Sequence, residues 1–596
     1  MKMKVSDYIS NFLVESGIYD VFSVVGGGAM HLNDSIGHNP NLNVVYCHNE
    51  QTCSMAADAY AKEKNFPAIV CVTTGPGATN AITGVAGAWV DSSPMIILSG
   101  QVRYDTTVQH SKLVLRARGI QEFDILGSVS NMTKYCEMVT NPLDISYCLE
   151  KAVYFAKSGR PGPCWLDIPL NVQGAMIETN DLNHFIEPPG EFFSLDDSSL
   201  DAIVHRLEIS QRPLLFVGNG VRLSGAHDLF IKLVNKLKIP VVTGMSSIDA
   251  ISSDCKYYVG RTGIQGDRAG NFAIQTCDLL ISLGSRLSYT QTGFNYKLWA
   301  PEAYKIVNDI DSEELRKDSI GADLSIPCDV AILMEKLLDA NISLPDISIW
   351  CDKCTHWKTN YPVVTKKHYS SLMPNIYSFF KEMTSKLDED STIVVSVGMS
   401  RVAGSQAAII KKNTRFITNV SMASMGYCLP AAIGVCVSRN MEKVILVTGE
   451  GSLQMNIQEL QTISHHKYPI CIFVINNQGY QSIRTTQNNY FGGKLVGVGP
   501  DSGDLSFPDL SKISVAYEIP YFSCHCQADL MSVLDSVLCS SGPVICEIFV
   551  SPEQIVEPRV ANKVLPDGSI VSGTFSDMFP FLDEKVLRDE LDYKNW

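Results

Sequence analysis

GEGSLQMNIQELQTISHHKYPICIFVINN, residues 449–477, decides the fold class. The apolar run VILV leads through Thr448 into a Gly-X-Gly turn, and a helical pattern follows. A second apolar run, ICIFVI, then ends at Asn476 and Asn477. Strand, helix and strand in this order make a unit of a parallel sheet. Glu450 and Asn477 then stand at the carboxyl ends of neighbouring strands, where ligands of α/β sheets bind. A carboxylate and an amide oxygen on tight turns suit Mg²⁺, a hard ion that takes few protein oxygens together with substrate phosphates. Gly451 opens the helix, whose first backbone amides can receive a phosphate.

Outward from this stretch, the chain of 596 residues is too long for one core, and about three or four domains are expected. With 45% hydrophobic and 19% charged residues, its composition is that of a globular protein. No apolar run is long enough to span a bilayer, and MKMKVSDYISNFLVESG reads as an amphipathic helix rather than a signal peptide. The net charge of −15 argues against general nucleic-acid binding. Eighteen cysteines are scattered through the chain, many inside apolar runs, which suits reduced core thiols and a cytoplasmic protein. Cys351 and Cys354, and the CHC at 524–526, are too far apart in sequence to read as a paired zinc site.

Strand runs alternating with helical patterns predict three doubly wound parallel-sheet α/β domains. The first covers 1–180, the second 190–345 and the third 370–555, with an irregular tail at 556–596 that is expected to cover a site. An acidic, proline-containing linker precedes the second domain, and a tryptophan-rich linker (345–370) follows it. The first and third blocks read as similar folds.

Residues 449–477 resemble the diphosphate–metal motif of thiamine diphosphate enzymes, usually written GDG…NN, with Glu450 in the place of the usual aspartate. TTGPGATNAITGVAGAWVDSSPMIILSGQV (73–102), GIQEFDILG around Gln121 and SGRPGPCWLDIP (158–169) closely resemble the acetolactate synthase group. That resemblance covers nearly the whole chain and implies three domains of the thiamine diphosphate enzyme type. It implies Glu50, at the head of the helical pattern in HNEQTCSMAADAYAK, as the acid that shares a proton with the aminopyrimidine ring. Without its surroundings, Glu50 reads as a solvated helix-start acid.

Further thiamine diphosphate positions follow from the same likeness. They are Gly26 and Gly27 of the turn after Val25, Val397, Gly398, Met399 and Ser400 of VGMSR, Ala423 and Met425 of ASMGYCLPAAIG, and Gly449, Glu450, Gly451, Ser452, Asn477, Gly479 and Tyr480. The metal ligands implied are Glu450, Asn477 and the Gly479 carbonyl. Gln121 would help to position the donor. Because the family draws Glu50 and the diphosphate motif from different subunits, a homodimer or homotetramer is implied.

The middle block resembles the flavin-binding domain of that group through FVGNGV, TGIQGDRAGN, LGSR and VNDID. FAD that need not undergo redox is favoured over an empty or nucleotide-only site, with Arg160, Gly218, Gly220, Gly263, Gln265, Gly266, Arg286 and Asp309 as its positions. A lone Gly-X-Gly is weak evidence, since a tight strand-to-helix turn needs the same residues.

The substrate positions depart from the group. Thr290 stands where acetolactate synthases carry the arginine that holds the second keto acid, and Thr486 where they carry a tryptophan. A hydroxyl cannot replace a bidentate guanidinium clamp without losing most of its carboxylate preference. The expectation is a carboligase that decarboxylates a 2-oxo acid such as pyruvate and adds the two-carbon unit to another carbonyl acceptor, a nucleotide-linked keto sugar being one candidate. Acetolactate synthase proper, a simple decarboxylase, a flavin-linked oxidase and a catalytically silent binding protein are the alternatives.

Overall fold

The computed structural model describes residues 1–189, 194–564, 567, 570–571 and 573–592. Three six-stranded sheets carry the fold, and every strand pair within them is parallel. In the N-terminal sheet the spatial order is Asn43–Tyr46, Asp20–Ser23, Ala68–Val72, Met95–Gln101, Pro163–Pro169, Tyr135–Met138. The C-terminal sheet runs Arg415–Ile417, Thr392–Val395, Val444–Gly449, Ile470–Asn476, Val544–Phe549, Tyr521–Cys524. Numbered along the chain within each sheet, both read 2-1-3-4-6-5, so the first and third domains share one topology. The central sheet, built from strands Pro213–Val217 to Leu324–Ile326, reads 3-2-1-4-5-6, the strand order of dinucleotide-binding domains.

These strands are buried on both faces, which is why they read as unbroken apolar runs rather than alternating ones. The two outer domains share a core through the helices Glu50–Lys64 and Cys428–Ser438. These helices cross at backbone contact: a Cβ on Gly434 would lie 2.0 Å from the Ala56 carbonyl oxygen. A buried charge cluster ties in the central domain. Asp249 accepts from Arg222 and from Arg415 of the C-terminal domain, and Lys62 pairs with Asp58 and Asp91, both at 2.8 Å. Burial opposes the charge on Asp249, but the two guanidinium groups prevail and hold its carboxyl at about 2.

Two segments differ from the sequence expectation. The tryptophan-rich linker contains a helix, Ser348–Asn360, whose Trp350, Cys354 and Trp357 are buried on the central domain. Their spacing of four and three residues puts all three on one helix face, and Trp350 Nε1 donates to the Pro213 carbonyl at 2.9 Å. The tail, part of whose PDGSIVSG stretch lies outside the described residues, docks on the central domain as well. Phe575 packs at Gly293, Arg268 donates to the Met578 carbonyl, and Glu590 bonds Lys353, His356, Trp357 and Tyr361. No helix among the described residues is long and apolar enough to cross a membrane.

Candidate active site

In the C-terminal domain the site forms where the strand order reverses, between Thr392–Val395 and Val444–Gly449. Gly449 ends its strand and Glu450 begins the short helix Glu450–Gln454. Glu450 is 5% exposed, and the amide of Gly479 donates to its Oε1 at 2.6 Å. Burial raises the Glu450 carboxyl to about 7, against backbone hydrogen bonds from its own, Gly479 and Asn477 amides. Asn477 is also buried, and its Oδ1 has no hydrogen-bond partner among the described residues. Buried side-chain oxygens are rarely left unpaired, so this one points to a missing group. Among the described residues no cluster of three His, Cys, Asp or Glu could hold a metal. An ion here would use the Glu450 carboxylate, the Asn477 amide oxygen and the Gly479 carbonyl, an all-oxygen set that fits Mg²⁺.

Three turns converge on Ser452. Its hydroxyl accepts from Ser396 Oγ at 2.8 Å, one residue before Val397, and from the Gly426 amide at 3.0 Å. Gly398 has φ +79° and leads into the helix Met399–Ala407, in which Ser400 is buried. Ala423, at φ +53°, is fixed by its amide bond to Asn419 Oδ1, and Met425 follows half-buried. The Tyr480 ring lies so close to Gly451 that a Cβ there would come within 2.2 Å of it. Hydrogen bonds and close contacts thus link the turns around Ser396, Gly426, Ser452 and Gly479.

The N-terminal half is built at the equivalent reversal. Asn49 caps the helix Glu50–Lys64, and Glu50 is half-buried, its Oε2 accepting from Asn80 Nδ2 at 3.0 Å. In this single chain an amide, not a closed apolar pocket, is its partner. Gly77 approaches Glu50 on one side of the TTGPG turn, where a Cβ would sit 3.4 Å from Oε1. On the other side, the carbonyl of Gln121 (φ +63°, side chain exposed) would be 2.3 Å from a Cβ on Gly75. Glu50 and Gln121 thus flank one turn. Gly26 and Gly27 lie beside it: a Cβ on Gly26 would strike Thr73 at 2.5 Å. Among the described residues no hydrogen bond or ion pair joins Glu50 or Gln121 to the Glu450 turn. Bonds between the halves include Asn456 Nδ2 to Gln51 Oε1 (3.0 Å), the His48 amide to Glu459 (3.1 Å) and Tyr427 Oη to Asp58 (2.8 Å).

At the switch point of the central domain lies a cavity of about 530 Å³ that both outer domains help to line, with Arg160, Asn219, Gly220, Arg286, Asp309 and Ser421 among its residues. Gly218 and Gly220 meet the Gly284 carbonyl oxygen so closely that Cβ atoms would lie 2.2 and 2.7 Å from it. Arg160 pairs with Asp311 (3.0 Å) and Glu314 (2.8 Å). Burial lifts the Asp309 carboxyl to about 6 despite an amide bond from Asp311 and the charge of Arg160. Arg286 reaches Ser421 Oγ at 2.7 Å, on the segment leading to Ala423. Gly263, Gln265 and Gly266 do not line the cavity. Their turn is held by Asn271 and by Gln406, which donates to the Gly266 carbonyl at 2.9 Å. Thr290 stands at the cavity, its hydroxyl paired with Ser288, whereas Thr486 lies on the helix Gln481–Tyr490 and bonds back to the Ser482 carbonyl. The structure does not bring the two threonines into contact with each other.

Sequence reasoning missed Asn80, the partner of Glu50, and Arg484, whose guanidinium holds the turn after Asn477. Arg484 was visible only as one polar residue on a polar helix.

Two outer domains of identical strand order, each carrying a turn at its reversal, together with a domain of dinucleotide-binding strand order, give the arrangement expected of a thiamine pyrophosphate enzyme. Residues 3–125, 200–337 and 396–548 match the N-terminal TPP binding, central and C-terminal TPP binding domains of thiamine pyrophosphate enzymes. The chain is similar to the acetolactate synthase large subunit of Porphyra purpurea, at 30% identity over 565 residues and 92% of each chain. It is 28% identical to that of Lactococcus lactis (93% of this chain, 94% of the relative) and 28% identical to acetolactate synthase isozyme 2 large subunit of Escherichia coli (94% and 97%). The chain belongs to the acetolactate synthase-like thiamine pyrophosphate enzymes, and its chemistry is of the 2-oxo acid decarboxylation and carboligation type.

Proposed function

We propose that this enzyme decarboxylates pyruvate or a similar 2-oxo acid and joins the two-carbon unit to a carbonyl acceptor other than a simple 2-oxo acid, a nucleotide-linked keto sugar being the leading candidate. Bound thiamine diphosphate supplies the electron sink that lets CO₂ leave and a carbon–carbon bond form. Glu50 would hold the proton shared with the cofactor's pyrimidine ring, and Gln121, across the TTGPG turn, would orient the donor. Glu450, Asn477 and the Gly479 carbonyl would hold Mg²⁺, and the unpaired Asn477 Oδ1 is the support for it.

The observation that carries the acceptor is the pair Thr290 and Thr486. Neither can make a bidentate carboxylate clamp, and each hydroxyl is already engaged, with Ser288 and with the Ser482 carbonyl. FAD in the central cavity is supported by its 3-2-1-4-5-6 sheet and the glycine crossover at Gly218, Gly220 and Gly284. A homodimer or homotetramer is supported by the exposed apolar side chains of Val25, Val114 and Ile120. A cytoplasmic location accords with eighteen free cysteines.

The test is product identification from labelled pyruvate offered with keto acids, aldehydes and nucleotide keto sugars. Label in a branched sugar product supports the reading; acetolactate as the sole product overturns it. Pyruvate left untouched in the presence of thiamine diphosphate and Mg²⁺, with other donors also inert, favours a silent protein.

A further inference from the structure

We infer that Arg484 is a positioning residue for the metal turn, and that the loop 497–503 is locked to that turn through Asp501. The inference rests on the reading of Glu450, Asn477 and Gly479 as metal ligands. Arg484 lies on the helix Gln481–Tyr490 and is 5% exposed. Its Nη1 donates to the Asn477 carbonyl at 3.1 Å and to Gln481 Oε1 at 2.7 Å. Its Nη2 donates to the Gln478 carbonyl at 2.6 Å and lies 3.3 Å from Asp501 Oδ2.

The two carbonyls belong to consecutive peptide planes. Fixing both fixes the orientation of the planes on either side of Gln478, because each plane is rigid. Those planes in turn set where the Asn477 side chain leaves the backbone and where the Gly479 carbonyl points. The turn needs such support. Gln478 has φ +62° and Gly479 φ +132°, and a non-glycine residue in the left-handed region persists only where its surroundings hold it.

The second half of the clamp is the glycine-rich loop. Tyr480 donates its amide to the Val498 carbonyl at 2.8 Å. A Cβ on Gly479 would lie 1.9 Å from that same carbonyl oxygen, and one on Gly499 2.4 Å from the Gln478 carbonyl oxygen. The turn and the loop therefore interlock, with the Arg484–Asp501 pair beside them. Removing the guanidinium takes the donor from the Asn477 and Gln478 carbonyls and frees the turn to rotate, so the cost falls on metal affinity. Groups that orient metal ligands typically contribute 10–100-fold to affinity.

The experiment titrates Mn²⁺, followed by its free-ion electron paramagnetic resonance signal, into full-length protein with thiamine diphosphate. Arg484→Met is expected to weaken Mn²⁺ binding about 10–100-fold. Its turnover should recover as Mn²⁺ is raised, so that the apparent metal constant moves more than kcat. Arg484→Lys, which keeps the charge and loses the fork, is expected to fall between. Asp501→Asn, at a 44% exposed carboxylate, is expected to weaken binding a few-fold and serves if Arg484→Met does not fold. Wild-type Mn²⁺ affinity in folded Arg484 and Asp501 variants, with binding lost in Asn477→Ala, overturns the role of Arg484 and leaves the metal site standing. Mn²⁺ binding retained in both Asn477→Ala and Glu450→Gln overturns the metal site, and this inference with it.

Discussion

The Gly479 amide donates to the Glu450 carboxylate at 2.6 Å, joining the turns that end two neighbouring parallel strands, Val444–Gly449 and Ile470–Asn476. The longer acid still reaches the second turn of the motif. Glu450→Gln keeps this acceptor and removes the charge. The variant is expected to fold normally and to lose at least about tenfold in divalent-dependent thiamine diphosphate retention, read by equilibrium dialysis with and without Mg²⁺. Unchanged retention would remove Glu450 from the metal set.

Gly479 has no room for a side chain. With φ +132° and the Val498 carbonyl oxygen 1.9 Å from the position of a Cβ, Gly479→Ala must displace the loop or the turn. A destabilisation of about 2–4 kcal/mol is expected for strain and overpacking together. Differential scanning calorimetry measures it, and loss of cofactor binding should accompany it.

Glu50→Gln preserves size and the Asn80 contact while removing the proton that general acid–base work needs. Turnover should fall by roughly 10²–10⁴-fold at unchanged thermal stability. Product formation from pyruvate at wild-type rate would show that Glu50 is not the acid.

Asp167 predicts a pH dependence away from the cofactor. It is fully buried between Ser99 (2.6 Å) and Gln101 (2.9 Å), and burial, only partly offset by these two bonds, pushes its carboxyl from 3.8 to about 7. The folded protein thus holds a proton that the unfolded chain releases above pH 3.8. The stability linked to this group is full below that value, declines as pH rises towards 7, and levels off above it. The steepest loss is about 1.4 kcal/mol per pH unit. Urea midpoints at pH 5 and pH 8 should differ in this sense, and Asp167→Asn should flatten the difference.

The central cavity predicts a flavin. Purified protein should carry flavin absorbance, and Arg286→Ala should lower it several-fold by weakening one wall and the Ser421 contact. The spectrum should stay unchanged when a 2-oxo acid is added anaerobically; bleaching would instead support flavin-linked oxidation.

The α/β architecture was legible because a parallel strand buried on both faces leaves an unbroken apolar run, as in ICIFVIN, and its turn leaves glycine and asparagine. The turns at Glu450 and Asn477 were legible for the same local reason: they belong to one strand–helix–strand unit. Arg484 was not, since its burial depends on a loop from 497–503 folding back over the turn, which no local pattern records. The helix at 348–360 was missed because its two tryptophans were read as marks of an irregular linker. They are instead one face of a helix that needs the central domain to cover it.

The contact of Gly434 on Ala56 has a dynamic consequence. Two helices touching at their backbones leave no slack for the outer domains to hinge, because any rotation drives main chain into main chain. The two outer domains are thereby joined as one packed unit rather than as a hinged pair.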